Sequence, residues 1–245
     1  MIQLHQDDAV KTVQFRSPKY IGDPINTIRI FSDRCADEVL VIDIGAARGK
    51  YGIQLSLLDR LVSEAFMPFC YGGGIRSIQQ ANELFGLGIE KVLVRWRGEQ
   101  TTDLIREIST RWGAQAVTVC IDYVRRIRTR RQRNFFAVDE ILFQMKMVEM
   151  SGAGEVAIQS VDKDGTMSGF DLEVIRRVSK DCGIQLMALG GSGRRTDIAQ
   201  AIAAGASAVA CGSLFVYRNS DRAVLINYPD VEEIENLIQV QNSFS

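Results

Sequence analysis

Seven short apolar runs punctuate the chain: Glu38–Ile42, Met67–Cys70, Lys91–Val94, Ala116–Ile121, Glu155–Ile158, Gln185–Ala188 and Ala208–Cys211. Each is continuous rather than alternating, as strands covered on both faces of a parallel sheet read. Between them, apolar positions recur at helical spacing over Ser56–Ala65, Ser77–Phe85, Asp103–Arg111, Val138–Met150, Asp171–Lys180 and Arg195–Ala204. Gly88, Gly113, Gly152, Gly183 and Gly205 stand just past these stretches, where a helix C-terminal cap favours glycine. An eighth strand is expected near Met1–Gln6. Met1 leaves almost nothing in front of Gln3, so this first strand reads as truncated or stunted, with the true start upstream.

The pattern also repeats. Tyr71-Gly72-Gly73-Gly74-Ile75 and Leu189-Gly190-Gly191-Ser192-Gly193 each close a strand and open a helix, roughly 118 residues apart. Val41-Ile42-Asp43-Ile44 matches Gln159-Ser160-Val161-Asp162 at nearly the same offset. Self-similarity over half the chain, with strand and helix alternating, signals duplication. The expected fold is α/β, a single (β/α)8 barrel whose usual length is about 250 residues. One domain then spans residues 1–245, with half-barrels at about 1–115 and 116–235. Glycine-rich loops at strand C-termini, one per half, suit a ligand with a phosphate at each end.

Composition narrows the function classes. Net charge is −1, with 24% charged and 46% hydrophobic residues, as in ordinary globular domains. No apolar run reaches the roughly 18 residues that span a bilayer, and the N-terminus lacks a basic signal-peptide region. The five cysteines show no CxxC spacing; Cys70, Cys120 and Cys211 read as buried free thiols, and a reducing cytoplasm is expected. His5 is the only histidine, which excludes a His-based triad and a histidine zinc site. No metal and no cofactor is expected. Arg125, Arg126, Arg128, Arg130, Arg131 and Arg133 crowd the loop after the fifth barrel strand. They read either as a solvated loop or as a phosphate-steering flap at the catalytic mouth. Without aromatic interleaving or net positive charge, nucleic acid is not an expected partner.

Asp162-Lys163-Asp164-Gly165-Thr166-Met167-Ser168-Gly169-Phe170-Asp171, preceded by Ala153-Gly154-Glu155, resembles the sixth-strand signature of the cyclase subunit of imidazole glycerol phosphate synthase. Tyr71–Ile75, Ala208–Phe215 and Val41–Ile44 fall in that family's order, and the similarity runs from Lys11 to about Glu233. Val10–Phe15, Pro18–Pro24 and Arg222–Pro229 resemble more closely a divergent branch linked to surface-polysaccharide biosynthesis. The resemblance implies a cyclase-like synthase subunit that takes ammonia from a partner glutaminase and acts in amidation of a sugar precursor. Its other ligand would be a phosphorylated sugar-type small molecule. Three further readings stay open: the histidine-pathway cyclase itself, a non-catalytic partner that activates the glutaminase, and a decayed paralogue.

Carried over residue by residue, the resemblance gives a mixed site. The family uses two aspartates as acid and base; Asp122 holds one position and Gln3 the other, and glutamine exchanges no proton at neutral pH. One phosphate half-site is implied at Gly165, Gly191, Gly212 and Ser213. The other uses Gly73 and Gly74, but its Asn-Thr pair has become Arg95-Trp96. Arg95 is a candidate anion ligand and Trp96 a candidate stacking surface. Gln159 and Leu189 replace small hydroxyl residues. At the opposite face, Glu38, Lys91 and Glu155 match three of the four members of a charged gate that admits ammonia.

Overall fold

The computed structural model describes residues 1–125, 127–128, 132–133, 135–218, 222–229, 232–233 and 236, with the side chains of 126–137 left out. Strand β1 (Ile2–His5) turns back into a hairpin, β2 (Asp8–Val13) and β3 (Arg16–Gly22), before helix α1 (Pro24–Asp33). Strand and helix then alternate. β4 (Val39–Asp43) leads to α2 (Ile44–Ala47) and α3 (Leu55–Val62), β5 (Phe69–Gly72) to α4 (Ile78–Gly86), and β6 (Lys91–Arg95) to α5 (Glu99–Trp112). β7 (Val117–Tyr123) is followed by the short pair β8 (Ile127–Arg128) and β9 (Gln132–Arg133) and by α6 (Phe135–Met150). β10 (Glu155–Ser160) precedes α7 (Leu172–Ser179), β11 (Gln185–Leu189) precedes α8 (Arg195–Ala203), and β12 (Ala208–Ala210) precedes α9 (Ser213–Val216). The ribbon β13 (Tyr217–Arg218) and β14 (Ala223–Val224) comes last.

The ladder order is β12-β11-β10-β7-β6-β5-β4-β1-β2-β3, and every pairing from β12 to β1 is parallel. Eight parallel strands with helices between them are the (β/α)8 barrel. β1 is short, as expected: it meets β4 from Ile2↔Val41 upward, and its other edge is taken by β2 at Gln3↔Val10. Between β12 and β1 there is no ladder among the described residues; there the Met1 amino group donates to the Cys211 carbonyl at 2.8 Å.

Alternation along each strand splits the interior in two. Phe69 and Tyr71 of β5 and Val117, Val119 and Ile121 of β7 face the helices. Cys70, Leu93, Cys120, Ala157, Met187 and Leu189 fill the barrel axis. Full burial of a side chain of Phe or Leu size contributes about 1.5–3 kcal/mol, so both layers hold the strands in place. The three thiols expected inside are buried and free. Gly88, Gly113, Gly152 and Gly205 have positive φ at helix ends, whereas Gly183 does not.

The structure departs from the sequence reading in two ways. The β2–β3 hairpin and helix α1 occupy a region where no element is expected. In addition, β4, β5, β6, β7, β10 and β11 reach one to two residues further toward their C-termini than the apolar runs. Of those extra residues, Gly72, Arg95, Asp122 and Gln159 reach the site.

Candidate functional site at the barrel mouth

Gly73 follows β5 and Gly191 follows β11, so both glycine-rich turns lie at the strand C-terminal end. A cavity of about 360 Å³ opens there, lined by Gln3, Thr12, Gly73, Gly74, Arg95, Asp122 and Gln159 among others. Gly73 is required by geometry: its φ is +132°, and a Cβ there would lie 2.5 Å from the Asp43 carbonyl oxygen. Asp43 in turn accepts from the backbone N–H groups of Gly45 and Ala46, both at 2.9 Å, which ties β4 to the turn that follows it.

Asp122, at the C-terminal end of β7, has Arg95 Nε 2.6 Å from Oδ2 and Cys120 Sγ 3.7 Å from Oδ1. Burial raises its pKa; Arg95 opposes the shift without cancelling it. Gln3 makes no such pair. Its Oε1 accepts from the Thr12 N–H at 2.9 Å and the Thr12 hydroxyl at 3.0 Å. Glutamine here is a buried strut that ties β1 to β2.

The strut belongs to a larger polar cluster that the sequence reading named only as motif positions. Thr12 Oγ1 lies 3.4 Å from Asp164 Oδ2, Gln159 Nε2 donates to Asp164 Oδ1 at 3.3 Å, and Lys11 Nζ lies 3.6 Å from Asp164 Oδ1. All five side chains are buried. Desolvation lowers the Lys11 pKa, with Asp164 opposing. Lys11 Nζ also lies 3.1 Å from where a Cβ on Gly212 would stand, so the ammonium sits against the loop after β12.

The second set of implied phosphate ligands falls outside this cavity. Gly165, Gly191, Gly212 and Ser213 occupy the loops after β10, β11 and β12, and none lines it. Gly165 admits no side chain, since its Cβ would approach the Thr12 carbonyl oxygen to 2.1 Å. The Ser213 hydroxyl is buried and has no hydrogen-bond partner among the described residues. Trp96 corrects an expectation: its side chain packs against the outer hydrophobic core and does not line the cavity. Its backbone N–H donates to the Cys120 carbonyl at 2.8 Å. Of the arginine-rich loop, Arg125 pairs with Glu173 and lies 3.7 Å from Asp171; the remaining side chains of that loop lie outside the described residues.

At the other end of the strands, Lys91 Nζ lies 2.9 Å from Glu38 Oε2 and 3.3 Å from Glu155 Oε2. Thr118 Oγ1 donates to Glu155 Oε2 at 2.6 Å. Burial works to lower the Lys91 pKa, but the hydrogen bond to Glu38 and the charges of both glutamates outweigh it and leave the pKa raised. Leu40, Cys70, Leu93, Cys120 and Ala157 form the apolar column between this triad and the mouth.

Residues 1–221 match the family described as "Histidine biosynthesis protein". The chain is 37% identical over 244 residues to a Leptospira borgpetersenii protein provisionally named imidazole glycerol phosphate synthase subunit HisF, covering 97% of this chain and 96% of that one. A Pseudomonas aeruginosa relative, provisionally named subunit hisF2, is 35% identical over 240 residues, with 92% of each chain covered. The imidazole glycerol phosphate synthase subunit HisF of Thermococcus gammatolerans is 32% identical over 221 residues, covering 88% of this chain and 87% of that one. The barrel, the glycine turns at its mouth and these matches together make the chain a member of the histidine biosynthesis protein family, among its HisF-type cyclase subunits.

Proposed function

We propose that this barrel receives ammonia from a glutaminase docked on the strand N-terminal face and delivers it to an anionic acceptor at the mouth, in amidation of a surface-polysaccharide sugar precursor. The observation that carries this reading is the Glu38–Lys91–Glu155 triad closing the foot of the apolar axis. A fold needs no partly buried charge triad there, because hydrophobic residues of similar volume do as well or better. Neutral ammonia passes an apolar column at far lower cost than the charged ammonium ion. Opening the triad is then a means of admitting one and excluding the other.

The mouth argues against ring closure by paired carboxylates. Gln3 is hydrogen-bonded to Thr12 and cannot exchange a proton, and Asp122 is held by Arg95. Loss of one acid–base partner costs roughly 10²–10⁴-fold in rate, which weighs against the alternative reading as a histidine-pathway cyclase. The unpartnered Ser213 hydroxyl beside Gly212 supports a phosphorylated ligand, since buried polar groups without partners call for one.

The test is co-purification with a glutaminase encoded beside this gene, followed by coupled assays with Lys91→Met. The native chain is expected to bind and stimulate the glutaminase. Lys91→Met is expected to keep binding while uncoupling glutamine hydrolysis from ammonia use at the mouth. A native chain that neither binds nor stimulates that glutaminase sinks the reading and favours a decayed paralogue.

A further inference from the structure

A groove of about 680 Å³ opens among the loops that follow β10, β11 and β12, and it shares no lining residue with the mouth cavity. Arg194, Arg195, Arg218 and Arg222 line it, with no carboxylate among the described lining residues. Two of the four are balanced: Arg194 Nε lies 3.5 Å from the buried Asp197, and Arg195 pairs with Glu233. Arg222 donates to the neutral Gly165 carbonyl at 3.0 Å, and the Arg218 guanidinium has no partner among the described residues. Lys19 adds a fifth cation. Its Nζ lies 5.9 Å from the centre of the Tyr217 ring, as does Arg222 Cζ, so β3 meets the β13–β14 ribbon here. The whole chain has a net charge of only −1, so this patch is a local excess, and like charges held together repel. The ribbon also exposes apolar surface. Ala223, Val224 and Leu225 follow Arg222 directly and are all exposed, Val224 at 43% and Leu225 at 51%. Leu225 lines the groove with Met167, Leu214 and Phe215. The ribbon forms a sheet of its own, paired at Tyr217↔Val224 and Arg218↔Ala223, apart from the barrel wall.

We infer that the β13–β14 ribbon, together with Lys19, docks this chain on an anionic lipid surface, with Val224 and Leu225 entering the interface and Lys19, Arg218 and Arg222 facing the headgroups. Charge complementarity calls for an anionic partner, and the apolar residues choose among the anionic ones. A soluble anion or an acidic polymer would engage the cations and leave Val224 and Leu225 in water. A bilayer surface covers both, because interfacial binding adds apolar burial to attraction by anionic headgroups. Lysine and arginine suit such a layer, since their stems lie along apolar surface while the charged ends stay hydrated. No helix among the described residues is long and apolar enough to cross a membrane, so the contact is peripheral. The groove belongs to the loops beyond the strand C-termini, so docking there leaves the strand N-terminal face free.

This inference goes beyond the proposed function and depends on neither the glutaminase nor the acceptor, so the two can fail separately. The test is sedimentation of the native chain with vesicles of phosphatidylcholine alone and of phosphatidylcholine and phosphatidylglycerol in equal parts. Dextran sulfate serves as a soluble polyanion in a parallel titration. The chain is expected to sediment with the phosphatidylglycerol vesicles only, and to be released as salt rises. Lys19→Gln/Arg218→Gln is expected to weaken vesicle binding about fivefold for each cation removed. Val224→Ser/Leu225→Ser is expected to weaken it by about tenfold while leaving dextran sulfate binding unchanged. All four side chains are exposed, so both variants are expected to keep the native melting temperature. A native chain that binds neither kind of vesicle, or both alike, overturns the proposal. So does vesicle binding that survives Val224→Ser/Leu225→Ser, which would leave a patch for soluble polyanions in place of a lipid-docking surface.

Discussion

Asp122 is in tension with its surroundings. Its pKa is raised by burial, so the folded state holds a proton on this carboxyl more tightly than the unfolded chain does. A group shifted in that direction contributes stability below the ordinary carboxylate range and loses it as pH rises through the raised value. At neutral pH the ionised form therefore weighs against folding, an expected mark of a residue kept for function. Asp122→Asn removes that cost. The variant is expected to melt at a higher temperature than the native chain at pH 7, with the gap narrowing as pH falls toward the carboxylate range. Thermal scans across pH check this; a variant less stable at pH 7 would mean that the Arg95 ion pair outweighs desolvation. Asp122 could be singled out in the sequence only through the resemblance, as the match to one of that family's two acid–base aspartates. Arg194 and Arg218 could not, because an arginine beyond a strand end reads as a solvated loop until the loops are seen to converge on one groove.

At the scale of elements, the parallel strands were legible because burial on both faces leaves uninterrupted apolar runs. The β2–β3 hairpin was not: five of the seven β3 residues are exposed, and Pro18 interrupts any alternation. Helix α1 did carry a signal. Asp23 accepts from the Asn26 N–H at 2.8 Å as N-cap, and Pro24 opens the helix, an arrangement that Gly22-Asp23-Pro24 announces in sequence. The turn after β5 tests how far such elements tolerate change. Gly73→Ala would place a Cβ 2.5 Å from the Asp43 carbonyl oxygen at a φ of +132°. The strand pair β4–β5 would have to separate, or the turn would have to flip. The expected loss is about 1–3 kcal/mol or more, measured by denaturant unfolding, with weaker anion binding at the mouth. Native-like stability in this variant would mean that the turn is freer than its packing indicates.

For the whole molecule, the two ends of the barrel carry different chemistry, and the N-terminal end makes a prediction of its own. Phe66, in the segment leading into β5, is 87% exposed, and Met150, the last residue of α6 before β10, is 77% exposed. Both stand at the strand N-terminal end, on elements that flank the Glu38–Lys91–Glu155 triad in the sheet order. Scattered exposed apolar residues need no explanation, but an aromatic and a methionine beside a charged gate have the composition of interface anchors. If the glutaminase docks here, Phe66→Asp is expected to weaken its binding by at least about tenfold, the loss typical of a buried aromatic anchor. The barrel's own melting temperature should stay unchanged, because that side chain touches little of the fold. Lys91→Met should show the opposite pattern, with binding kept and coupling lost. The pair of variants thus separates docking from gating. If Phe66→Asp and Met150→Asp both leave the affinity untouched while the native chain still binds, the partner sits elsewhere on the barrel, and the triad must be explained without it.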